Sequence, residues 1–176
     1  SDVCSSDLMD QSPENASDAE LLRLMLAGDG RAFTHLYERW QGSVYRFALR
    51  ISESEAMAED VTQDVFLTLM REGGQYSGRG SFAAYLLTIT RHSVLRRLQR
   101  ERRFVALPEE PEREAAPEGE EWMLAADDPL AALTREERVD AVRQAVLELP
   151  LPYREVVLLC HLHELSYAEA AEVLGC

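Results

Sequence analysis

Near its end the chain reads PYREVVLLCHLHELSYAEAAEVL (residues 152–174), and this segment says most about the architecture. Its apolar residues recur at three- and four-residue steps on both sides of a short polar break at residues 164–166, which predicts helices over residues 152–163 and 167–174. A helix-turn-helix begins in this way, and its next helix reads the major groove of DNA. Any other pair of antiparallel helices gives the same pattern, so the segment alone leaves both interpretations open.

Helical periodicity also dominates the rest of the chain. Four upstream helices are predicted: from Asp18 to Gly28, through Phe33–Ile51, from a Ser52–Glu55 capping box to Arg71, and from Ser81 to Arg103. Thr134 with Glu137, and Ser166 with Glu169, have the same capping-box spacing at two later helix starts. No segment has convincing strand character. The predicted fold class is all-α, with four helices, a linker and three further helices.

Charge divides the chain into parts of opposite sign, although the net charge is -14. Residues 79–103 carry seven arginines and one glutamate, whereas residues 104–133 carry nine acidic residues and one arginine. The latter range is rich in proline, glutamate and alanine, which predicts an acidic, flexible linker. Residues 1–17 are polar and aperiodic, and we expect them to be disordered. A concentrated basic patch in an acidic protein is typical of a nucleic-acid contact.

The composition disfavours several classes of protein. No apolar run approaches the roughly 20 residues that span a bilayer, and residues 1–10 do not resemble a secretory signal, so we expect a cytoplasmic protein without membrane insertion. Cys160, His161 and His163 suggest a metal site, but a structural zinc site takes four ligands. We interpret Cys160 as a small buried apolar residue beside two ordinary histidines and predict no metal and no cofactor. No catalytic constellation is visible.

The basic helix is the strongest candidate for nucleic-acid binding. Its arginines are Arg91, Arg96, Arg97, Arg100, Arg102 and Arg103. Phe82 and Tyr85 precede them, after a Gly/Ser-rich loop at residues 73–80. Arginines bind phosphates and aromatic faces stack on unpaired bases, so the combination fits single-stranded DNA. The alternatives are that the two aromatic residues belong to the core and that the arginines form a solvated face.

The third helix presents an acidic surface opposite its apolar face. Glu59, Asp60, Gln63 and Asp64 lie on this side, and Phe66, three residues after Gln63, is expected to be exposed at its edge. Acidic residues beside an exposed aromatic ring suit a protein interface. Plain solvation of the helix explains the charges equally well, so the pattern alone does not decide.

Four segments in order carry a resemblance to a known family. They are AGDGRAFTHLYERW (27–40), AEDVTQDVFLTLMR (58–71), FAAYLLTITRHSVLRRLQR (82–100) and LPLPYREVVLLCHLHELSYAEAAEVLG (149–175). Together they resemble the successive signatures of extracytoplasmic-function sigma factors, the subunits that direct bacterial RNA polymerase to promoters. The resemblance implies a promoter-melting domain over residues 18–103, an acidic linker over 104–133 and a helix-turn-helix domain over 134–176, truncated before its reading helix.

The resemblance also assigns roles to individual residues. It implies polymerase binding by Glu59, Asp60, Gln63, Asp64 and Phe66. It implies binding of the minus-ten element as single-stranded DNA by Tyr76, Ser77, Arg79, Phe82, Tyr85, Thr88, Arg91, His92, Arg96, Arg97 and Arg100. It places Ser166, Tyr167, Glu169, Ala170 and Leu174 in the helix-turn-helix. The implied partners are core RNA polymerase through its largest-subunit clamp, promoter DNA and an anti-sigma factor.

The chain departs from the family pattern near the basic helix. Tyr85 stands where the family usually has tryptophan, His92 where it commonly has asparagine, and Arg96 where it commonly has aspartate. These differences leave the base preference at the minus-ten element open. Two other functions remain as alternatives: a helix-turn-helix regulator that binds duplex DNA without polymerase, and an adaptor whose arginines meet an acidic protein.

Overall fold

The computed structural model describes residues 16–78, 80–105 and 134–176, and every regular element in these ranges is helical. The helices are α1 (Asp18–Leu26), α2 (Gly30–Ser52), α3 (Glu55–Glu72), α4 (Phe82–Val105), α5 (Arg135–Glu148), α6 (Leu151–Val157) and α7 (Tyr167–Leu174). A 3₁₀ turn, Gly73–Gln75, follows α3, and a π-helical turn, Leu158–Leu162, extends α6. The all-α prediction is confirmed. Disorder was predicted over residues 1–17, of which residues 1–15 lie outside the described part of the chain, while Ala16 is buried and Ser17 caps α1. Residues 106–133 of the predicted linker are also outside it, and α4 continues to Val105, two residues into the predicted linker.

Side-chain caps fix where most helices begin. Thr134 with Glu137, and Ser166 with Glu169, form the predicted capping boxes, and Ser17 with Glu20 forms a third. The predicted box at Ser52 is wrong, because α2 extends through that residue. Glu53 then takes a left-handed conformation (φ 56°) and reverses the chain, so Ser54 becomes the cap and accepts a hydrogen bond from the Met57 amide.

Helix α2 is the centre of the N-terminal part and packs against α1, α3 and α4. Its apolar face recurs at helical spacing, as the sequence predicts, and the matching faces of α3 and α4 close over it. The fully buried side chains in this core include Leu21, Leu36, Val44, Phe47, Val61, Val65, Leu69, Leu86, Leu87 and Val94. This packing holds α3 and α4 side by side, with their polar faces toward solvent.

The C-terminal helices pack onto the N-terminal part. Helix α7 lies against α4, and α6 lies against α2. Leu159, Ala170 and Val173 are buried and join the same apolar cluster as the N-terminal core. Arg154 of α6 donates to the Glu53 carboxylate (2.6 Å) and to the carbonyl of Arg50 (3.3 Å) at the end of α2. The two parts that the sequence separates by a linker are therefore in direct contact.

Candidate nucleic-acid interface

The arginines of α4 are not equivalent. Arg91 makes a two-pronged ion pair with Glu155 of α6, with Nε to Oε1 at 2.7 Å and Nη2 to Oε2 at 3.1 Å. The Glu155 side chain is only 4% exposed and that of Arg91 is 19% exposed, so the carboxylate is screened from water and the guanidinium keeps some contact with it. Arg96 and Arg100 are exposed, and neither makes an ion pair within the described ranges. Arg79 lies outside the described residues.

Arg97 bridges two carboxylates of the neighbouring helix. Its guanidinium lies 2.9 Å from Asp60 Oδ2 and 2.5 Å from Asp64 Oδ2. The hydrogen bond to Asp64 is the main reason that the pKa of Arg97 is raised. The cation between Asp60 and Asp64 removes the mild repulsion expected from their i, i+4 spacing. The charge of Arg97 is therefore largely compensated within the protein, whereas the charges of Arg96 and Arg100 are available to an anion.

A small cluster of aromatic rings joins the loop after α3 to the start of α4. The Tyr76 ring lies 5.1 Å from that of Tyr85 and 5.8 Å from that of Phe82, measured between ring centroids. Phe82 is buried against Trp40, so the core interpretation is correct for this residue. Tyr76 and Tyr85 are half-buried and keep part of their surface exposed. Their hydroxyl groups donate to the carbonyls of Gly80 and Glu72, which fixes both rings.

A pocket of about 190 Å³ opens beside these tyrosines. Its lining comprises Gln75, Tyr76, Ser77, Ser81, Ala84, Tyr85, Thr88 and Glu172. It is smaller than the roughly 300 Å³ at the lower end of the range for small-molecule sites, so only a small group fits in it. Burial, and then the Glu72 charge, raise the pKa of Tyr85, so this ring is a neutral stacking surface. Tyr76, Ser77, Tyr85 and Thr88, all predicted from the sequence, thus line one pocket.

The wall of this pocket includes one acidic residue of α7, and a second lies beside it. Glu172 contributes to the lining, and its Oε2 lies 3.1 Å from the position that a Cβ atom at residue 80 would occupy. The Glu169 carboxylate accepts a hydrogen bond from the Ser81 hydroxyl. That bond, together with the capping bonds from Ser166, holds the pKa of Glu169 below its ordinary value. One carboxylate of α7 therefore lines the pocket, and a second is bonded to the lining residue Ser81.

A second cleft runs between α3 and α4 and is rich in arginine. It has a volume of about 280 Å³. It is lined by Asp64, Thr68, Arg71, Glu72, Ile89, His92, Ser93, Arg96, Arg97 and Arg100. Because Arg71, Arg96 and Arg100 converge here, the cleft can hold a phosphate of a nucleic-acid backbone. His92, also predicted from the sequence, is exposed at its edge.

The outer face of α3 differs from the surface predicted for it. Glu59, Asp60 and Gln63 are exposed as expected, and Asp64 is half-buried beneath Arg97. The predicted exposure of Phe66 is wrong: the side chain is 3% exposed and its ring packs 4.8 Å from that of Tyr37. Position 66 lies on the side of the helix that faces α2, so the ring joins the core.

Two apolar residues that sequence reasoning missed lie on this outer face. Leu67 is 55% exposed and Met70 is 50% exposed. With Glu59 and Gln63 they form a stripe along α3 at i, i+4, i+8 and i+11, which we call the α3 stripe. Leu67 and Met70 follow Gln63 by four and seven residues, a helical spacing that places all three on one face, so the sequence contained a signal for them. A cleft of about 520 Å³ between α2 and α3 borders the stripe at Glu59 and Gln63.

The predicted helix-turn-helix residues lie at the start and along the length of α7. Ser166 caps the helix, Glu169 completes the box, and Ala170 is buried, whereas Tyr167 is 78% exposed. Leu174 is half-buried. The turn before α7 contains Glu164 in a left-handed conformation (φ 54°). Helices α6 and α7 are therefore present where the sequence predicts them, and their role as a helix-turn-helix stays a prediction.

Within the described ranges, no cluster of three or more histidine, cysteine, aspartate or glutamate side chains is placed to hold a metal ion. None of the helices between residues 16 and 105 or 134 and 176 combines the length and hydropathy that crossing a bilayer requires.

Comparison with known proteins identifies matches to both parts of the chain. Residues 36–104 match the model of sigma-70 region 2, and residues 140–176 match that of sigma-70 region 4. A probable RNA polymerase sigma-C factor of Mycobacterium bovis is 34% identical over 149 residues, covering 85% of this chain and 75% of the relative. The sigma factor BldN of Streptomyces coelicolor is 32% identical over 168 residues; these cover 92% of this chain but only 59% of BldN.

Solved structures show the same fold at lower identity. CnrH in complex with the cytosolic domain of CnrY has a TM-score of 0.59 at 23% identity, covering 90% of this chain and 82% of that one. The sigma factor RpoE in complex with the anti-sigma factor NepR from Bartonella quintana has a TM-score of 0.58 at 20% identity, covering 82% and 83%. At these identities the likeness establishes the fold.

Proposed function

The chain belongs to the extracytoplasmic-function family of RNA polymerase sigma factors, and we propose that it recruits core polymerase to promoters and holds one strand of the minus-ten element unpaired. It acts by binding and not by catalysis, in the cytoplasm. Residues 18–103 form the promoter-melting domain, residues 104–133 a linker, and residues 134–176 the helix-turn-helix domain. This division follows the periodicity and charge of the sequence.

Core polymerase binds the α3 stripe. The stripe combines acidic, amide and apolar side chains that are all exposed, as in the interfaces of partners that associate and separate. Asp60 and Asp64 support the stripe indirectly, because Arg97 ties them to α4 and keeps the two helices in register. Phe66 supports it from beneath through its contact with Tyr37. Of the five predicted polymerase-binding residues, Glu59 and Gln63 are thus the direct contacts.

Promoter DNA binds across the start and middle of α4. The pocket beside Tyr76 and Tyr85 receives an unstacked base, and base–aromatic stacking is worth about 1–3 kcal/mol per base. Arg96 and Arg100 bind the adjoining phosphates in the arginine-rich cleft. Unstacking a base costs a few kcal/mol, so stacking and phosphate contacts together can offset the cost. Phe82 holds the pocket wall from within the core.

The observation that carries the proposal is the arrangement on α3 and α4. Two packed helices present a partner-binding stripe, a small pocket and two arginines without an acidic partner among the described residues. A duplex-binding regulator needs neither the stripe nor the pocket. An anti-sigma factor is a further proposed partner. The support is that CnrH and RpoE, which share the fold, were solved with CnrY and with the anti-sigma factor NepR.

Co-purification with bacterial core RNA polymerase tests the proposal. The wild-type chain should elute with core enzyme, and the variant Glu59→Arg/Gln63→Arg should lose most of this association, because it places two cations on the stripe. Glu72→Arg is the control, because it replaces a glutamate by an arginine on the same helix, as Glu59→Arg does, but outside the stripe. A wild-type chain that binds duplex DNA but never associates with core would instead support the regulator without polymerase.

A further inference from the structure

A groove of about 840 Å³ between α2, α5 and α6 has no part in the proposed function. We call it the α5 groove. Its aliphatic lining comes from α5, α6 and the π-helical turn and comprises Val139, Val142, Val146, Val157, Leu158 and Leu162. Val139, Val142 and Leu162 are exposed. Exposed apolar side chains that share one groove mark a binding site, whereas singly scattered ones need no explanation.

Helix α5 has an apolar stripe that the described part of the chain leaves uncovered. Val139, Val142 and Val146 are spaced i, i+3 and i+7, which places them on one face of the helix. Nevertheless, no residue of α5 from Arg135 to Glu148 is buried. An isolated helix of this length is marginal in water, since most helical stability comes from packing of the apolar face. An apolar group bound along the stripe therefore stabilises α5.

The lining of the α5 groove is also strongly basic. It contains Arg46, Arg50, Arg135, Arg138 and Arg143, and no acidic residue is among its described members. Of these five, only Arg143 makes an ion pair within the described ranges, with Asp140 at 2.8 Å. In a chain with a net charge of -14, so many arginines without carboxylates form a local site for an anion.

Two of these arginines indicate where the anion binds. Arg135 is the first residue of α5 and Arg138 follows in the same turn. The start of a helix carries a partial positive charge, so cations are disfavoured there and a bound anion is favoured. An arginine also binds a carboxylate through two parallel hydrogen bonds. The start of α5 is therefore the anionic end of the groove, and the valine stripe leads away from it.

The dimensions favour a small molecule over a protein. The volume lies within the roughly 300–1,000 Å³ of small-molecule sites. Twelve residues line the groove, whereas a standard protein interface takes about 20–30 residues from each partner. We propose that the α5 groove binds one long-chain carboxylate, with its head on Arg135 and Arg138 and its tail along the valine stripe. Such a ligand joins α2 to α5 and α6, and its binding does not depend on the proposed function.

Titration calorimetry of the full chain with dodecanoate, below its micelle-forming concentration, measures affinity and stoichiometry. We expect one saturable site per chain. Dodecyltrimethylammonium has the same tail with a cationic head, and acetate has the carboxylate without the tail. Each should bind at least about tenfold more weakly than dodecanoate, because each lacks one of the two contacts. In methyl NMR spectra, dodecanoate should shift the resonances of Val139 and Val142 but not those of the core residue Val94.

Two double variants with equal charge locate the head. Arg135→Gln/Arg138→Gln should weaken dodecanoate binding at least about tenfold, because it removes the charge-assisted hydrogen bonds. Arg23→Gln/Arg31→Gln is the matched control, because it removes two exposed arginines of α1 and α2 that lie outside the groove, and it should bind dodecanoate as the wild type does. All four positions are exposed, so circular dichroism should show the same helicity in every chain.

Three results would overturn the proposal. Equal weakening by the two double variants would mean that overall charge attracts the carboxylate. Equal affinity for dodecyltrimethylammonium would mean that the tail adsorbs to any exposed apolar surface. Binding to vesicles of phosphatidylglycerol and phosphatidylcholine without a saturable dodecanoate site would assign the groove to a membrane surface instead.

Discussion

At the scale of single residues, neighbours in the sequence have opposite roles. Phe66 is buried against Tyr37, whereas Leu67 points outward with more than half of its surface exposed. One step along a helix turns the side chain by about 100°, which is enough to move it from the core to the surface. The sequence suggested the aromatic ring as the exposed member of the pair. The packing of α3 on α2 reverses that assignment.

This difference predicts contrasting effects of two alanine substitutions. Phe66→Ala should lower the free energy of unfolding by about 3–5 kcal/mol, because it leaves a cavity in the core. Leu67→Ala should change stability by no more than about 0.5 kcal/mol, as is usual for surface sites, yet it should weaken binding to core polymerase. Urea unfolding and a core-binding assay measure both quantities. A stable Leu67→Ala chain with undiminished affinity for core would remove Leu67 from the interface.

At the scale of the element, α4 distributes six closely spaced arginines among different tasks. Arg91 and Arg97 are paired with carboxylates of α6 and α3, whereas Arg96 and Arg100 face solvent. A helical repeat places positions 96 and 100 on one face, and the sequence predicts that much. It does not predict the pairing of Arg91, because Glu155 lies 64 residues away and no local pattern links the two positions.

The division of arginines predicts different salt dependences of single-stranded DNA binding. Arg96→Ala or Arg100→Ala should each reduce the slope of log affinity against log salt by about 0.7, the value for one phosphate contact on a single strand. Arg97→Ala should reduce it less, since Asp60 and Asp64 already compensate the charge of Arg97. Titrations between about 50 and 200 mM salt give the slopes. Equal slopes for Arg96→Ala and Arg97→Ala would contradict this assignment.

At the scale of the whole molecule, the sequence predicted the parts better than their arrangement. The apolar stripes of α2, α3 and α4 and the capping boxes at Thr134 and Ser166 were all visible in it. Such features depend on neighbours within a few residues. The packing of α7 on α4 depends on contacts between residues on opposite sides of the linker region. The periodicity of a sequence does not predict which surface a helix packs against. The pocket wall contributed by Glu172 was therefore beyond sequence reasoning.

His163 lies at this contact between the two parts, and it predicts a pH dependence. Its ring packs 5.5 Å from that of Phe47, and burial, followed by the Arg46 charge, lowers its pKa to about 4. Between the ordinary pKa of 6.5 and this value the unfolded chain binds the proton and the folded chain does not, so stability falls as the pH falls. The loss should approach about 1.4 kcal/mol per pH unit.

The substitution His163→Phe isolates this effect from that of the carboxylates that titrate in the same range. It keeps a ring against Phe47, and the buried Nε2 that it removes has no hydrogen-bond partner among the described residues. The difference in unfolding free energy between wild type and variant should be constant above pH 6.5 and should shift in favour of the variant as the pH falls toward 4. A difference that stays constant throughout would mean that His163 titrates normally.

The most direct measurement is permanganate footprinting of unpaired thymines on a library of promoter-containing DNA fragments, with core polymerase and the chain added singly and together. The account predicts reactive thymines only when both are present. It also predicts that Tyr85→Ala loses most of this reactivity while still co-purifying with core, because the base pocket loses its stacking surface. Thymines that become reactive with core alone, or an unchanged pattern with Tyr85→Ala, would contradict the assignment of promoter melting to α4.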